Sequence, residues 1–247
     1  MKFDVVTLFP DIILNACAES MPSRANLKGI ISINTVNPRD YTHDKHRKTD
    51  DTPYGGGAGM VLSPQPFMDA INSIEPLGNS ETIILTPQGE IFNQKMAEEF
   101  SKKSQLKIIC GHYEGFDERI RTLSNAREVS LGDFVMSGGE YAAICIIDSV
   151  SRLLEGTLGN SESSEYDSHS EFLLEYPHYT KPREYEGLCV PEVLLSGNHE
   201  KIAEWRRIKQ FERTKNKRPD LFEKFLKTDL SPNDKKLLDK FIDGKIE

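Results

Sequence analysis

Three short segments of the chain carry residue types that can do chemistry together: Thr86-Pro87-Gln88-Gly89, Gly111-His112-Tyr113-Glu114-Gly115, and Leu131-Gly132-Asp133-Phe134-Val135-Met136-Ser137-Gly138-Gly139-Glu140. Bare backbone lets main-chain N–H and C=O groups come close to a ligand. With carboxylates scattered among them, such turns suit a ligand with polar edges, such as an adenosine. A fourth stretch, "PYGGGAGM" at residues 53–60, has the same freedom and raises the possibility of a phosphate cradle.

Missing motifs narrow the chemistry. No GxxxxGK[ST] occurs, so a phosphate-loop hydrolase would lack its lysine and hydroxyl. No GxGxxG opens a helix after the first strand, and neither HExxH nor GxSxG is present. Only His43 and His46 have metal-ligand spacing, and they lie in a charged stretch that reads as surface loop. The four cysteines, Cys17, Cys110, Cys145 and Cys189, are far apart, which argues against a zinc site or a disulfide framework. They read as small buried side chains.

The elements that must position these segments follow from hydrophobic patterning. Residues 82–85, 106–110 and 127–131 are short apolar runs, each ending in one of the three turns. Helical patterns follow them: a stripe of Phe92, Met96 and Phe100, a stretch at 118–123, and a long apolar run at 141–154. Upstream, residues 2–8 read as a strand, 10–18 as a helix and 29–36 as another strand. Short apolar strands alternating with helices predict a parallel α/β sheet. Ligands of such sheets sit at the carboxyl ends of the strands, so the three turns are expected to line one crevice.

The chain has 247 residues, room for one large domain or two ordinary ones. No apolar run could span a bilayer, and the N-terminus enters a strand without a leader pattern, so a cytoplasmic protein without membrane contact is expected. The net charge of -8 disfavours sequence-blind binding to nucleic acid. That average hides a split. Residues 199–219 hold eight Lys or Arg against three Glu, while 155–175 hold six acids and no Lys or Arg. The predicted organisation is an α/β domain at 1–158, a Ser- and Glu-rich linker at 159–175, and a helical domain at 176–247. Its helices are expected at 198–215, from Pro219, and from Ser231-Pro232, with Leu237, Leu238, Phe241 and Ile242 facing inward. A transferase, a binding module and a nucleotide hydrolase all remain open on these features.

The motifs "VVTLFP", "PYGGGAGM", "TPQG", "CGHYEGFDERI", "LGDFVMSGGE", "IDSVSRL", "PHYTKP" and "VPEVLLSGNH" span nearly the whole chain. Together they resemble the bacterial tRNA (guanine-N1)-methyltransferases of the SPOUT class. The resemblance implies a SPOUT-type parallel sheet with a deep trefoil knot, a rare topology, plus a small all-helical C-terminal domain. It implies a homodimer with shared active sites, S-adenosylmethionine as methyl donor, magnesium dependence, and tRNA as substrate, methylated at N1 of guanosine 37 when guanosine precedes it. Carried over residue by residue, the donor site comprises Thr86, Pro87, Gln88, Gly89, Gly111, Tyr113, Glu114, Gly115, Leu131, Gly132, Asp133, Phe134, Val135, Met136, Gly138 and Gly139. Asp167 is implied as base and Arg152 as the cation at O6, with Glu114 facing the donor's amino group or a nearby magnesium. Implied tRNA contacts are Gly55, Gly57, Gly59, Ser168, Ser196, Asn198, His199, Arg206 and Lys209, while Trp205 reads as core. One departure stands out: position 112 is His where the family usually has Arg.

Overall fold

The computed structural model describes residues 1–158, 168–169 and 171–242. The chain divides into two units, residues 1–161 and 162–247. The first runs β1 (Lys2–Val6), α1 (Pro10–Cys17), α2 (Ser20–Leu27), β2 (Ser32–Val36), β3 (Asp50–Asp51), β4 (Val61–Leu62), α3 (Pro64–Asn72), β5 (Ser80–Ile91), α4 (Gln94–Ser101), β6 (Gln105–Cys110), α5 (Glu118–Ser124), β7 (Arg127–Ser130) and α6 (Glu140–Ser151). Five strands make one parallel sheet in the order β2-β1-β6-β5-β7.

The apolar runs form this sheet because helices cover both of its faces. Side chains of a strand alternate between faces. Phe3, Val5, Ile83, Leu85, Leu106 and Ile108 accordingly pack in one buried cluster with residues of α1, α4 and α6. Val6, Ile84 and Ile109 join the other, with Phe67 and Ile71 of α3 and Ile120 of α5. A polar lock fixes the register. The fully buried Asp4 accepts hydrogen bonds from Gln105 Nε2 (2.7 Å) and Asn34 Nδ2 (3.0 Å), tying β1 to both of its neighbours. A slip of one residue would turn that carboxylate away from both partners.

Several sequence expectations are corrected. The strand expected at 82–85 spans Ser80–Ile91, and Thr86–Gly89 is an excursion within it rather than its end. Leu85 and Glu90 both stand in register with Val129, so the residues between them bulge out of the ladder. Pro87 explains this locally, since it has no N–H to offer the neighbouring strand. The strand expected from Gly29 begins at Ser32, because the carbonyls of Ala25 and Asn26 at the end of α2 take the N–H groups of Gly29, Ile30 and Ile31. Cys17 and Cys110 are buried as expected, but Cys145 and Cys189 are exposed. Cys145 lies off the α6 face formed by Ala142, Ala143, Ile146, Ile147 and Val150.

The second unit contains the hairpin β8 (Glu184–Tyr185) and β9 (Leu188–Cys189), then α7 (Glu192–Leu195), α8 (His199–Lys217), α9 (Pro219–Leu226) and α10 (Pro232–Ile242). Leu173, Ile208, Phe211, Phe222, Phe225, Leu237 and Leu238 form its core. Ile242, expected inward, is exposed at the last residue of α10. The Asp234 backbone N–H donates to Ser231 Oγ at 3.0 Å, capping α10. No helix among the described residues is long and apolar enough to cross a membrane.

Arg207 of α8 grips Asp234 of α10 through Nε–Oδ1 (2.7 Å) and Nη2–Oδ2 (3.0 Å). Burial pushes the Asp234 carboxyl up, but the Arg207 guanidinium and Ser231 hydroxyl outweigh it and hold the pKa below its ordinary 3.8. A carboxylate with a depressed pKa adds stability above its unfolded value, and this is lost as pH falls through the folded value. The helical unit is expected to weaken below about pH 4, and Asp234→Asn to flatten that acid limb. Circular dichroism melts across that pH range check both statements.

Candidate active site

The carboxyl ends of β5, β6 and β7 surround a cavity of about 320 Å³, near the lower end of the range for small-molecule sites. Its wall is the bulge of β5, the turn after β6 and the turn after β7. Of the residues carried over for the donor, Thr86, Pro87, Gln88, Gly111, Tyr113, Glu114, Gly115, Leu131, Gly132, Phe134, Val135, Met136, Gly138 and Gly139 line it. Gly89 and Asp133 stand outside the wall. Gly89 packs instead against the backbone of Glu128 and Val129.

Close backbone packing sews the turns together. Gly139 N–H donates to Gly111 O at 2.9 Å, and residues 112 and 138 form an antiparallel bridge. A Cβ on Gly139 would sit 3.0 Å from Cys110 Cα and 3.2 Å from Gly111 N, so only glycine allows this approach without a shift. Beneath the turn, the buried Glu140 accepts from Thr7 Oγ1 at 2.7 Å, joining the end of β1 to the start of α6. Burial, with the Glu140 charge adding to it, pushes the Cys110 thiol well above its ordinary pKa, which removes it as a nucleophile. Tyr113 has φ of 59°, a left-handed conformation that costs a non-glycine residue about 1 kcal/mol. Such strain tends to be kept where a site needs it.

The glycine run 53–60 loops between β3 and β4. It joins the turn after β6: Glu114 N–H donates to Met60 O at 3.0 Å, and Leu62 N–H donates to Gly115 O at 2.9 Å. A Cβ on Gly59 would fall 2.4 Å from Glu114 Cγ, so this backbone lies directly against the Glu114 side chain. Gly55, Gly57 and Gly59 are all exposed.

Sequence reasoning missed Arg121. It lines the cavity from α5, with its side chain only 12% exposed. Its guanidinium bonds Glu128 of β7, reaches Glu118 Oε2 at 3.4 Å, and donates to Thr86 Oγ1 at 3.3 Å. Position 121 directly follows "CGHYEGFDERI", and that proximity was the one signal for it. Ser137 and His112 also line the wall. His112 meets Phe9 edge-on, with ring centroids 4.7 Å apart.

Arg152 is not among the residues that line this cavity. Arg152 caps the C-terminus of α6 and is exposed. Asp167 lies outside the described residues. Ser168 accepts from Glu175 N–H through Oγ at 3.0 Å. Asn198 caps α8, accepting from Lys201 N–H at 3.1 Å, and Ser196 Oγ donates to Val193 O at 2.7 Å. His199 opens α8 and is exposed. Lys209 pairs with Glu212 at 2.5 Å, and Arg206 lies over the Tyr176 ring at 4.9 Å. Trp205, expected in the core, is half-buried and outside the core cluster.

Residues 1–224 match the family model described as tRNA (guanine-1)-methyltransferase TrmD. Curated relatives agree, each carrying the name tRNA (guanine-N(1)-)-methyltransferase. The protein of Caldicellulosiruptor saccharolyticus is 56% identical over 221 residues, covering 90% of each chain. That of Dehalococcoides mccartyi is 50% identical over 244 residues, covering 98% of this chain and 97% of its own. That of Clostridioides difficile is 51% identical over 227 residues, covering 91% and 98%. The chain therefore belongs to the tRNA (guanine-1)-methyltransferase TrmD family.

Proposed function

We propose that this chain transfers a methyl group from S-adenosylmethionine to N1 of guanosine 37 in tRNA, preferring guanosine at 36. The supporting observation is the cavity at the ends of β5, β6 and β7, walled by three turns, in a chain of this family. Its wall suits the donor. Leu85, Leu131 and Ala142 offer apolar surface to a purine ring, while the bared main chain of Gly111, Gly115 and Gly132 offers polar groups to its edge. When bound, the donor supplies a methyl group on a positively charged sulfur.

The chain must overcome one chemical obstacle. N1 of neutral guanine carries a proton and has no lone pair for attack. The Asp167 carboxylate accepts that proton as the N1–methyl bond forms and the methyl–sulfur bond breaks. The Arg152 guanidinium balances charge building on O6. The exposed glycine backbone at 55–59 and the polar groups of Ser168, Ser196, Asn198, His199, Arg206 and Lys209 hold the tRNA. Among the described residues no group of three or more His, Cys, Asp or Glu side chains could hold the magnesium that the resemblance implies.

A threaded, knotted path for the turns is part of the same reading. What supports it is the interlocking of Gly89 with residues 128–129 and of Gly139 with Gly111. A homodimer with shared sites is supported by the exposed Phe134, Val135 and Tyr141. We read residues 159–175 as the linker that carries Asp167 to the target base, in an enzyme working in the cytoplasm where tRNA is processed.

The test incubates purified protein with labelled donor and two tRNA transcripts, one with guanosine at 36 and 37 and one with position 37 replaced. Label should enter the first alone, and equal labelling of both overturns the reading. A further expectation concerns His112. An arginine there puts a permanent cation on the cavity wall. His112→Arg should tighten tRNA binding at pH 8 about fivefold, the worth of about 1 kcal/mol. Filter binding at fixed salt measures it, and an unchanged affinity removes the cavity wall from the RNA-contacting surface.

A further inference from the structure

We propose that Tyr176, Tyr179 and Trp205, together with Arg206, form a platform in the helical unit on which unpaired bases of the RNA stack. The proposal rests on the tRNA reading above and assigns it a surface. Tyr176 and His178 have ring centroids 4.6 Å apart, and Tyr179 and Trp205 have theirs 6.4 Å apart. Trp205 and Arg206 are consecutive residues of α8, Trp205 beside the Tyr179 ring and the Arg206 guanidinium over the Tyr176 ring at 4.9 Å, so both ring pairs meet the same turn of that helix.

Two features separate this cluster from ordinary packing. The α8 residues that build the core are Ile208 and Phe211, and Trp205, one turn earlier, is left half-buried. Tyr179 is 49% exposed and the His178 side chain 59%. Among the described residues, moreover, the hydroxyls of Tyr176 and Tyr179 and the indole N–H of Trp205 make no hydrogen bond within the protein.

Charge points the same way. Three of the eight basic residues at 199–219 are neutralised internally: Arg207 by Asp234 and Glu171, Lys209 by Glu212, and Arg218 by Asp220. Arg206 has no carboxylate partner among the described residues. A guanidinium without a carboxylate partner, among rings that are half-buried or exposed, is a combination that can hold a single-stranded segment. The faces take bases, and the cation takes a phosphate. A duplex keeps its base faces occupied and cannot use them.

Trp205 is the sole tryptophan of the chain, so its emission reports directly on this surface. Titration with an anticodon stem-loop RNA is expected to quench it, and a blunt duplex of the same composition to leave it unchanged. Tyr176→Leu and Tyr179→Leu, which keep an apolar body, should each weaken stem-loop binding about tenfold. Arg206→Gln should lower the salt slope of binding by about one. Donor affinity and melting temperature should stay at wild-type values in all three. Stem-loop binding without quenching, equal quenching by the duplex, or wild-type affinity in both tyrosine variants would overturn the platform. A wild-type protein that quenches with the stem-loop yet methylates no tRNA would instead sink the proposed function and leave the platform standing. Methylation with intact affinity in the variants does the reverse.

Discussion

Gly89→Ala is expected to melt the α/β unit about 6–12 °C earlier than the native chain and to weaken donor binding with it. A Cβ at position 89 would sit 2.3 Å from Val129 N, 2.4 Å from Glu128 C and 2.6 Å from Glu128 O. These are main-chain atoms of the adjacent strand, already in register with β5 on both sides of the bulge. No side chain can swing away to relieve the clash, so one strand must move. Overpacking of this kind costs about 3 kcal/mol at its upper end, and about 2–4 °C accompanies each kcal/mol in a unit of this size. The bulge carries Thr86, Pro87 and Gln88 into the cavity wall, so displacement of the strand reshapes the site. Gly55→Ala is the comparison. Its φ is +85° but a Cβ there meets nothing within 4 Å. It should cost only the backbone strain, about 1 kcal/mol. Calorimetric melts of both variants, with donor titrations, decide the matter. Equal melting temperatures for Gly89→Ala and the native chain would mean that the bulge is not held by this contact.

That contact also marks the limit of what the residues tell in advance. The three turns were legible because each follows a run buried on both faces, and such runs stand out against the charged helices between them. Ile83, Ile108 and Val129 are all fully buried. Their spatial order was not legible, because parallel neighbours are chosen by packing between distant segments. Nothing in "TPQG" announces that Leu85 and Glu90 share one partner residue. Arg121 escaped notice for a similar reason. A charged residue on a short helix reads as solvated, whereas here it braces β7 and Thr86 from inside the cavity wall. Asn198 shows an opposite ambiguity, for an asparagine before a basic helix fits either an RNA contact or a helix cap, and its side chain caps α8. The apolar run of α6 concealed the exposure of Cys145, since a sequence apolar all round does not say which side faces water. Asp167 as base came through resemblance alone, in a segment whose composition otherwise reads as linker.

Asp167→Asn should lower the turnover of methyl transfer by about 10²–10⁴-fold, the usual contribution of a positioned general base, while leaving donor affinity unchanged. The amide keeps the shape and a hydrogen-bonding oxygen but has far too little basicity to take the guanine proton. Loss of the base should appear in kcat more than in KM, because the proton moves only during reaction. Two neighbouring acids, Glu165 and Glu171, are the alternatives. Glu171 Oε2 is held by Arg207 Nη2 at 2.8 Å within the helical unit. That carboxylate is already engaged in an ion pair of the helical unit, so Glu171→Gln should retain most of the turnover and register instead in the stability of the helical unit. Glu165→Gln, lacking the assigned role, should also remain active. Single-turnover measurements with enzyme in excess over tRNA separate the three. A slow Glu165→Gln beside a near-native Asp167→Asn would move the base two residues toward the N-terminus and leave the rest of the proposed reaction unchanged. Full activity in all three variants would mean that no acid of this segment takes the proton, and the base would then have to be sought among the groups lining the cavity, with Glu114 the first to test.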